Sequence, residues 1–156
     1  MAEVLSKQAA RAATPGSTGY NKRIAADQGR LTVFVLTSPD IVTWANGDTV
    51  AGGVPIPIGT RFLNGASVVC TAMGASVVMD VGIRNFDTKV AIDADGISAS
   101  VNVAAAGSKN ANGGALVGAG VEYVTTEVAE IYVTLSGATP TANAQFRLEV
   151  PVILAG

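Results

Sequence analysis

SVVMDVGI, at residues 76–83, contains the pattern that decides the fold class. Large apolar residues occupy every second position, alternating with Ser76, Val78, Asp80 and Gly82. A period of two places side chains on opposite faces of a β-strand, so one face here is uniformly apolar. The stretch therefore predicts a half-buried strand whose buried residues are Val77, Met79, Val81 and Ile83.

The preceding run, residues 61–70, has a similar alternation of apolar residues. Its predicted buried face contains Phe62, Ala66, Val68 and Cys70. Asn64-Gly65 permits positive φ and predicts a bulge or turn. A turn at 73–75 could then reverse the chain. We therefore predict that 61–83 forms a central antiparallel pair that supplies an apolar face to the other strands.

Further strands are predicted on both sides of this pair. Residues 31–36 are apolar except for Thr32, which is typical of a strand covered on both faces. Alternation predicts half-buried strands at 98–103, with Ala99 facing inward, at 130–135 and at 145–154. Shorter strands are predicted at 41–44 and 121–125, turns at 85–87 and 93–96, and a long exposed loop at 107–120. About eight strands favour an all-β antiparallel β-sandwich, for which a jelly roll is the candidate topology.

Length and composition agree with this class. The chain has 156 residues, which fits one domain, and its 21 valines against 8 leucines favour strands over helices. We divide it into an N-terminal arm at 1–30, in which the residues at 3–13 favour a short helix, and a single β-sandwich domain at 31–156. No apolar run is long enough to span a membrane, no secretory leader is recognisable, and the single cysteine, Cys70, excludes an internal disulfide. These features predict a soluble protein made in a reducing cytoplasm.

Charge is unevenly distributed along the chain. Five basic and two acidic residues give the arm +3, which leaves −5 for the rest of a chain whose net charge is −2. The chain as a whole has no concentrated basic face of the kind that nucleic-acid binding requires. We expect the arm to contact a neighbouring subunit or another partner through Lys7, Arg11, Lys22 and Arg23.

The sequence contains few residue combinations that could support catalysis. The chain has no histidine, which excludes the Ser-His-Asp triad and imidazole-ligated zinc. The carboxylates that could serve a glycosidase-like pair are Asp80, Asp87, Asp93 and Asp95, but they fall in predicted turns or on an outward strand face. Asp93-x-Asp95-Gly96 is a weak candidate for the start of a calcium loop, since its third ligand and distal glutamate are missing. We expect no enzymatic activity, no cofactor and no bound metal.

Trp44 is the only tryptophan, and it lies in the polar stretch Thr43-Trp44-Ala45-Asn46. Its ring could stack on a sugar or on a partner protein. It could equally be a buried anchor in a core of small side chains.

A series of short motifs resembles the small β-rich decoration, or cement, proteins encoded among the head genes of tailed bacteriophages. The resemblance covers about residues 45–156 and rests on Gly47-Asp48-Thr49, Ile58-Gly59-Thr60-Arg61-Phe62-Leu63, Asp80-Val81-Gly82-Ile83, Asp93-Ala94-Asp95-Gly96-Ile97, Gly113-Gly114-Ala115 and the last strand. It implies a non-enzymatic protein, often a trimer, that binds the major capsid protein on the outer capsid surface and bridges coat subunits. The alternative is a carbohydrate-binding or head-fibre module that would use Trp44 and residues 107–120.

Overall fold

The computed structural model describes residues 30–40, 43–118 and 123–154. The predicted arm, apart from Arg30, and the helix predicted at 3–13 lie outside these residues. The elements are β1 (Arg30–Thr37), β2 (Thr49–Ala51), β3 (Arg61–Phe62), β4 (Ser67–Cys70), β5 (Val78–Asn85), β6 (Ala91–Asn102), β7 (Gly107–Asn110), α1 (Ala115–Gly118), β8 (Ala129–Ser136) and β9 (Phe146–Leu154). Within the described ranges, no helix is long and apolar enough to cross a membrane.

The strands form two sheets. Sheet A has the order β1-β9-β4-β7, with β3 also paired to β9, and sheet B has the order β2-β8-β5-β6. Every strand pairing is antiparallel. The predicted all-β antiparallel sandwich is therefore confirmed.

The core lies between the sheets and follows the predicted alternation. Both sets of residues predicted to face inward, one at 62–70 and the other at 77–83, are buried. Alternate residues of β8 and β9 complete the core with Ile131, Val133, Leu135, Phe146, Leu148, Val150 and Val152.

The predicted pairing within 61–83 is wrong. β4 pairs with β7 and β9 in sheet A, whereas β5 pairs with β6 and β8 in sheet B. The segment between them crosses the core, where Met73 is completely buried. Both runs alternate because both inner faces meet the same core, so alternation alone could not assign them to one sheet.

The bulge predicted at Asn64-Gly65 is present. β3 and β4 pair successively with β9, and the five steps from Phe62 to Ser67 face only three from Val152 to Glu149. Gly65 has a φ of 125°, which glycine adopts without a steric penalty. The extra residues separate β3 from β4 without breaking their common alignment on β9.

The inward facing of β6 differs from the prediction because the strand is irregular. The two steps from Met79 to Val81 face three steps from Val101 to Ser98, and Ser100 has a φ of 51°. This bulge turns Ser98 inward and leaves Ala99 exposed. A one-residue insertion reverses the facing of every residue beyond it.

The turn predicted at 93–96 instead lies within β6, in a second and larger irregularity. Five steps from Asp93 to Ser98 face two from Ile83 to Val81. The displaced backbone lies directly over Gly82, where an added Cβ would come within 2.3 Å of the Ala94 carbonyl oxygen. Gly82 is therefore required by close approach of the neighbouring strand.

Three other predicted segments need correction. The exposed loop at 107–120 contains β7 and α1, and Leu116 of α1 packs over Gly96. For the strand predicted at 121–125, residues 121–122 are not described, and 123–125 contain only an isolated bridge from Val124 to Arg61. For that predicted at 41–44, residues 41–42 are not described and 43–44 lie outside any strand.

Candidate interaction surfaces

The outer face of β1 is apolar and exposed. Leu31, Val33 and Val35 retain 66%, 50% and 52% of their accessible surface. The prediction that this strand is covered on both faces is therefore wrong for the described chain, because sheet B covers only its inner face. Exposure of three large aliphatic residues in one row marks this face as a candidate for contact with another molecule.

Neighbouring strands extend this apolar row. The β1–β9 register places Leu31 opposite Ile153 and Val33 opposite Pro151, and both partners are half-buried. β4 adds Val69, which is 45% exposed and lies opposite Arg147 of β9. We define the outer patch of sheet A as Leu31, Val33, Val35, Val69, Pro151 and Ile153.

Two charged side chains on β9 lie between the β1 part of the outer patch and Val69 of β4. Arg147 and Glu149, on the outer face of β9, form an ion pair with Nε and Oε1 separated by 3.1 Å. Exposed apolar side chains with charged neighbours are typical of protein interaction surfaces. Its chemistry suits a flat protein partner, because the patch is built from a sheet face.

The outer face of sheet B contains a buried ionic cluster. Glu130 is completely buried, and its Oε1 accepts hydrogen bonds from Arg84 Nε at 2.8 Å and from Lys89 Nζ at 2.7 Å. The Arg84 guanidinium also lies 5.2 Å from the centre of the Tyr132 ring. Lys89 reaches the cluster from residues 86–90, which connect β5 and β6.

The protonation state of Glu130 follows from these contacts. Burial raises the pKa of its carboxyl, but the hydrogen bonds and positive charges of Lys89 and Arg84 outweigh burial and hold the pKa below its ordinary value of 4.5. A carboxylate held ionised in this way is a poor proton donor near neutral pH. The cluster is therefore suited to fastening the β5–β6 connection to β8 rather than to acid catalysis.

Of the aspartates considered as catalytic or calcium-binding residues, Asp80 and Asp93 accept local backbone hydrogen bonds through their carboxylates. Asp80 Oδ1 accepts a hydrogen bond from Ser100 N at the bulge of β6. Asp93 Oδ1 accepts one from Asp95 N at 3.3 Å, and the backbone N of Asp87 donates to Asn85. Across the described residues, no group of three or more acidic or cysteine side chains could hold a metal ion. The hydrogen bond from Asp95 N to Asp93 lies within the irregular part of β6.

Trp44 lies in the core. It is 5% exposed, its Nε1 donates to the Ala144 carbonyl oxygen at 3.0 Å, and its ring centre lies 6.5 Å from that of Phe146. The ring is thus not presented for stacking on a sugar or on a partner. The carbohydrate-binding alternative therefore lacks the exposed tryptophan ring on which it relied.

The basic residues expected to bind a partner, Lys7, Arg11, Lys22 and Arg23, lie outside the described residues. The structure adds two features that the sequence reasoning missed, the outer patch and the Glu130 cluster. The apolar run at 31–36 was a usable signal for the first. A glutamate on an outward position of β8 gave no signal for the second, because its partners Arg84 and Lys89 are 46 and 41 residues away in the sequence.

Comparisons with known proteins identify the fold. Neither a protein-family model nor a curated protein sequence matches the chain. A chain from the capsid of Ralstonia phage GP4 is 14% identical, with a TM-score of 0.65 over 82% of this chain and 86% of that one. A chain from the capsid asymmetric unit of cyanophage Pam1 is 15% identical, with a TM-score of 0.53 over 81% of this chain and 86% of that one. At these identities the likeness is one of fold.

Proposed function

We propose that the protein is a structural virion protein that decorates the outer surface of a bacteriophage capsid. In this role it binds the major capsid protein, bridges adjacent coat subunits and has no enzymatic activity. The resemblance described above favours a homo-oligomer, with a trimer as the expected form.

The outer patch of sheet A is the observation that carries the proposal. The fold of this chain resembles that of chains in two phage capsids. The outer patch adds an apolar, flat surface, which is suited to contact with a protein lattice. The proposed arm contacts add a second attachment, in which Lys7, Arg11, Lys22 and Arg23 meet acidic groups on a neighbour or on the coat.

The strand order supports the jelly-roll topology that the resemblance implies. If β3 and β4 are counted as one interrupted strand, eight strands form two four-stranded sheets. The chain passes between the sheets at nearly every connection, and only β5 and β6 are consecutive strands in the same sheet. Double-sheet jelly rolls are built in this way, and they are common in viral capsids.

Binding to assembled coat would stabilise the shell by linkage. A protein that binds only the assembled state lowers the free energy of that state with each copy bound. A decoration protein therefore needs no catalytic group. It needs repeated, well-packed contacts across subunit boundaries.

The test is to add the purified protein to coat shells assembled without it. We expect saturation at a fixed copy number set by the shell symmetry and an increase in the thermal stability of the shell. Val69→Lys, at the β4 end of the outer patch, should weaken binding. The matched control Val90→Lys changes a residue that is 65% exposed, immediately before β6 and outside the patch, and it should bind normally. Absence of saturable shell binding would refute the proposal.

A further inference from the structure

Sheet edges differ in how they are protected. A strand at the edge of a sheet carries unpaired N–H and C=O groups that can pair with another chain, and natural proteins usually shorten or distort such strands. The edge strands of the described sheets are β1, β7, β2 and β6. β2 has three residues, β7 has four, and β6 is interrupted by register shifts. Each of these three strands has a feature that discourages pairing.

β1 has none of these features. It is eight residues long, pairs with β9 along its whole length without a register shift, and contains neither proline nor lysine. Its sequence, RLTVFVLT, combines high β-propensity with a single charge, at Arg30. Within the described ranges, no strand pairs with its other edge. This edge is therefore suited to accepting a further strand.

The ends of β1 are complementary to each other. Arg30 begins the strand, and Asp40 lies three residues beyond its end; both are exposed. Two copies of β1 aligned antiparallel about Phe34 would place Val33 of each copy opposite Val35 of the other. Arg30 would then lie opposite Ser38 of the other copy, two residues from its Asp40. In this alignment the outward-facing residues of both β1 strands lie on the same face of the joined sheet. Opposite charges also come together at each end of the strand pair.

We propose that β1 pairs with β1 of a second copy of this chain across a two-fold axis. Pairing would join two copies of sheet A into one continuous sheet and place their outer patches side by side. It would also cover an apolar cleft at this edge of the sandwich, which is lined by residues including Phe34, Leu36, Gly52 and Val54. The inference does not depend on the capsid function, because it concerns the protein in solution.

Sedimentation of the full chain over a range of concentrations tests the pairing. We expect an even number of copies, either a dimer or two of the trimers expected above joined through β1. Val33→Lys places lysines at the paired edge, where each faces an aliphatic residue of the other copy, and should raise the dissociation constant about tenfold or more. Val69→Lys is the matched control, because Val69 lies on the same sheet face but not on its edge. Odd-numbered assembly, or assembly unaffected by Val33→Lys, would overturn the proposal.

A charge exchange identifies the occupant of the edge. Arg30→Glu alone and Asp40→Lys alone should each weaken pairing, whereas the double variant should restore it, because each glutamate then meets a lysine of the other copy. Circular dichroism checks that each variant is folded. If the N-terminal arm or a coat segment occupied the edge, the double variant would not regain pairing. Loss of pairing on deletion of residues 1–28 would likewise assign the edge to the arm and overturn the proposal.

Discussion

Arg84 lies directly opposite Glu130 in the antiparallel β5–β8 pair, and its Nε donates to Glu130 Oε1 at 2.8 Å. Lys89 bonds to the same oxygen. The Glu130 side chain is completely buried, whereas those of Arg84 and Lys89 remain 18% and 48% exposed. The carboxylate therefore depends on these two cations, while both cations keep some contact with water.

Glu130→Gln should destabilise the protein by roughly 3 kcal/mol. The substitution preserves volume but removes the charge that compensates partly buried Arg84, and loss of one partner of a buried ion pair costs about 3–5 kcal/mol. Urea denaturation followed by fluorescence measures the change in the free energy of unfolding.

Glu149→Gln is the matched control. Glu149 pairs with Arg147 on the surface, where the two side chains are 41% and 57% exposed. Exposed pairs contribute about 0–1 kcal/mol, so this variant should unfold almost as the parent does. Equal losses from the two substitutions would mean that the Glu130 cluster is no more important than a surface ion pair.

Acidification should remove the contribution of Glu130. Because the folded-state pKa is below the unfolded value, the contribution is present above the ordinary value of 4.5 and is lost as pH falls through the folded pKa. The stability difference between the parent and Glu130→Gln should therefore be constant near neutral pH and shrink below about pH 4.5. Denaturation curves from pH 7 to pH 3 measure it, and a difference that does not change with pH would contradict the lowered pKa.

Gly82→Ala should destabilise the sandwich by about 2 kcal/mol or more, as expected for overpacking. The added methyl would lie 2.3 Å from the Ala94 carbonyl oxygen and 2.4 Å from that of Asp93, so the irregular part of β6 must move. Thermal denaturation measures the loss.

Gly113→Ala provides the comparison. An added Cβ at Gly113 meets no heavy atom within 4 Å, so it should change stability by less than about 1 kcal/mol. If Gly82→Ala were equally mild, the close approach of β6 to β5 would not constrain the fold.

The inner faces of the strands were predictable from sequence because they follow a local period. Val77 to Ile83 and Phe146 to Val152 are buried at alternate positions as expected. The pairing of strands was harder to predict, because β4 and β5 alternate in the same way but belong to different sheets. Insertions such as the bulge at Ser100 reverse facing without a strong local signal, which explains the wrong assignment of Ala99.

The candidate surfaces were harder to predict because exposure depends on distant neighbours. An apolar run such as 31–36 is compatible with a central strand or with an edge strand, and only the sheet order distinguishes them. Trp44 illustrates the same limit, since a polar local sequence concealed its contact with Ala144, 100 residues away. Charge asymmetry, in contrast, is a property of the sequence itself.

Deleting residues 1–28 should leave the β body folded and weaken attachment to coat shells. The cut preserves β1, which begins at Arg30, so far-ultraviolet circular dichroism should retain its strand signal. Attachment should weaken because the arm has an excess of positive charge while the rest of the chain is negative. Shell-binding isotherms for the full and truncated chains measure the difference.

Charge and length of the arm can be separated by replacing Lys7, Arg11, Lys22 and Arg23 with glutamine in the full chain. If positive charge drives the contact, this variant should bind shells as weakly as the deletion does. Added salt should then weaken attachment of the parent more than that of either variant, because exposed charges are screened over about 10 Å at 0.1 M salt. Truncated protein that binds shells as tightly as the full chain would remove the arm from the proposed attachment and leave the outer patch of sheet A as its basis.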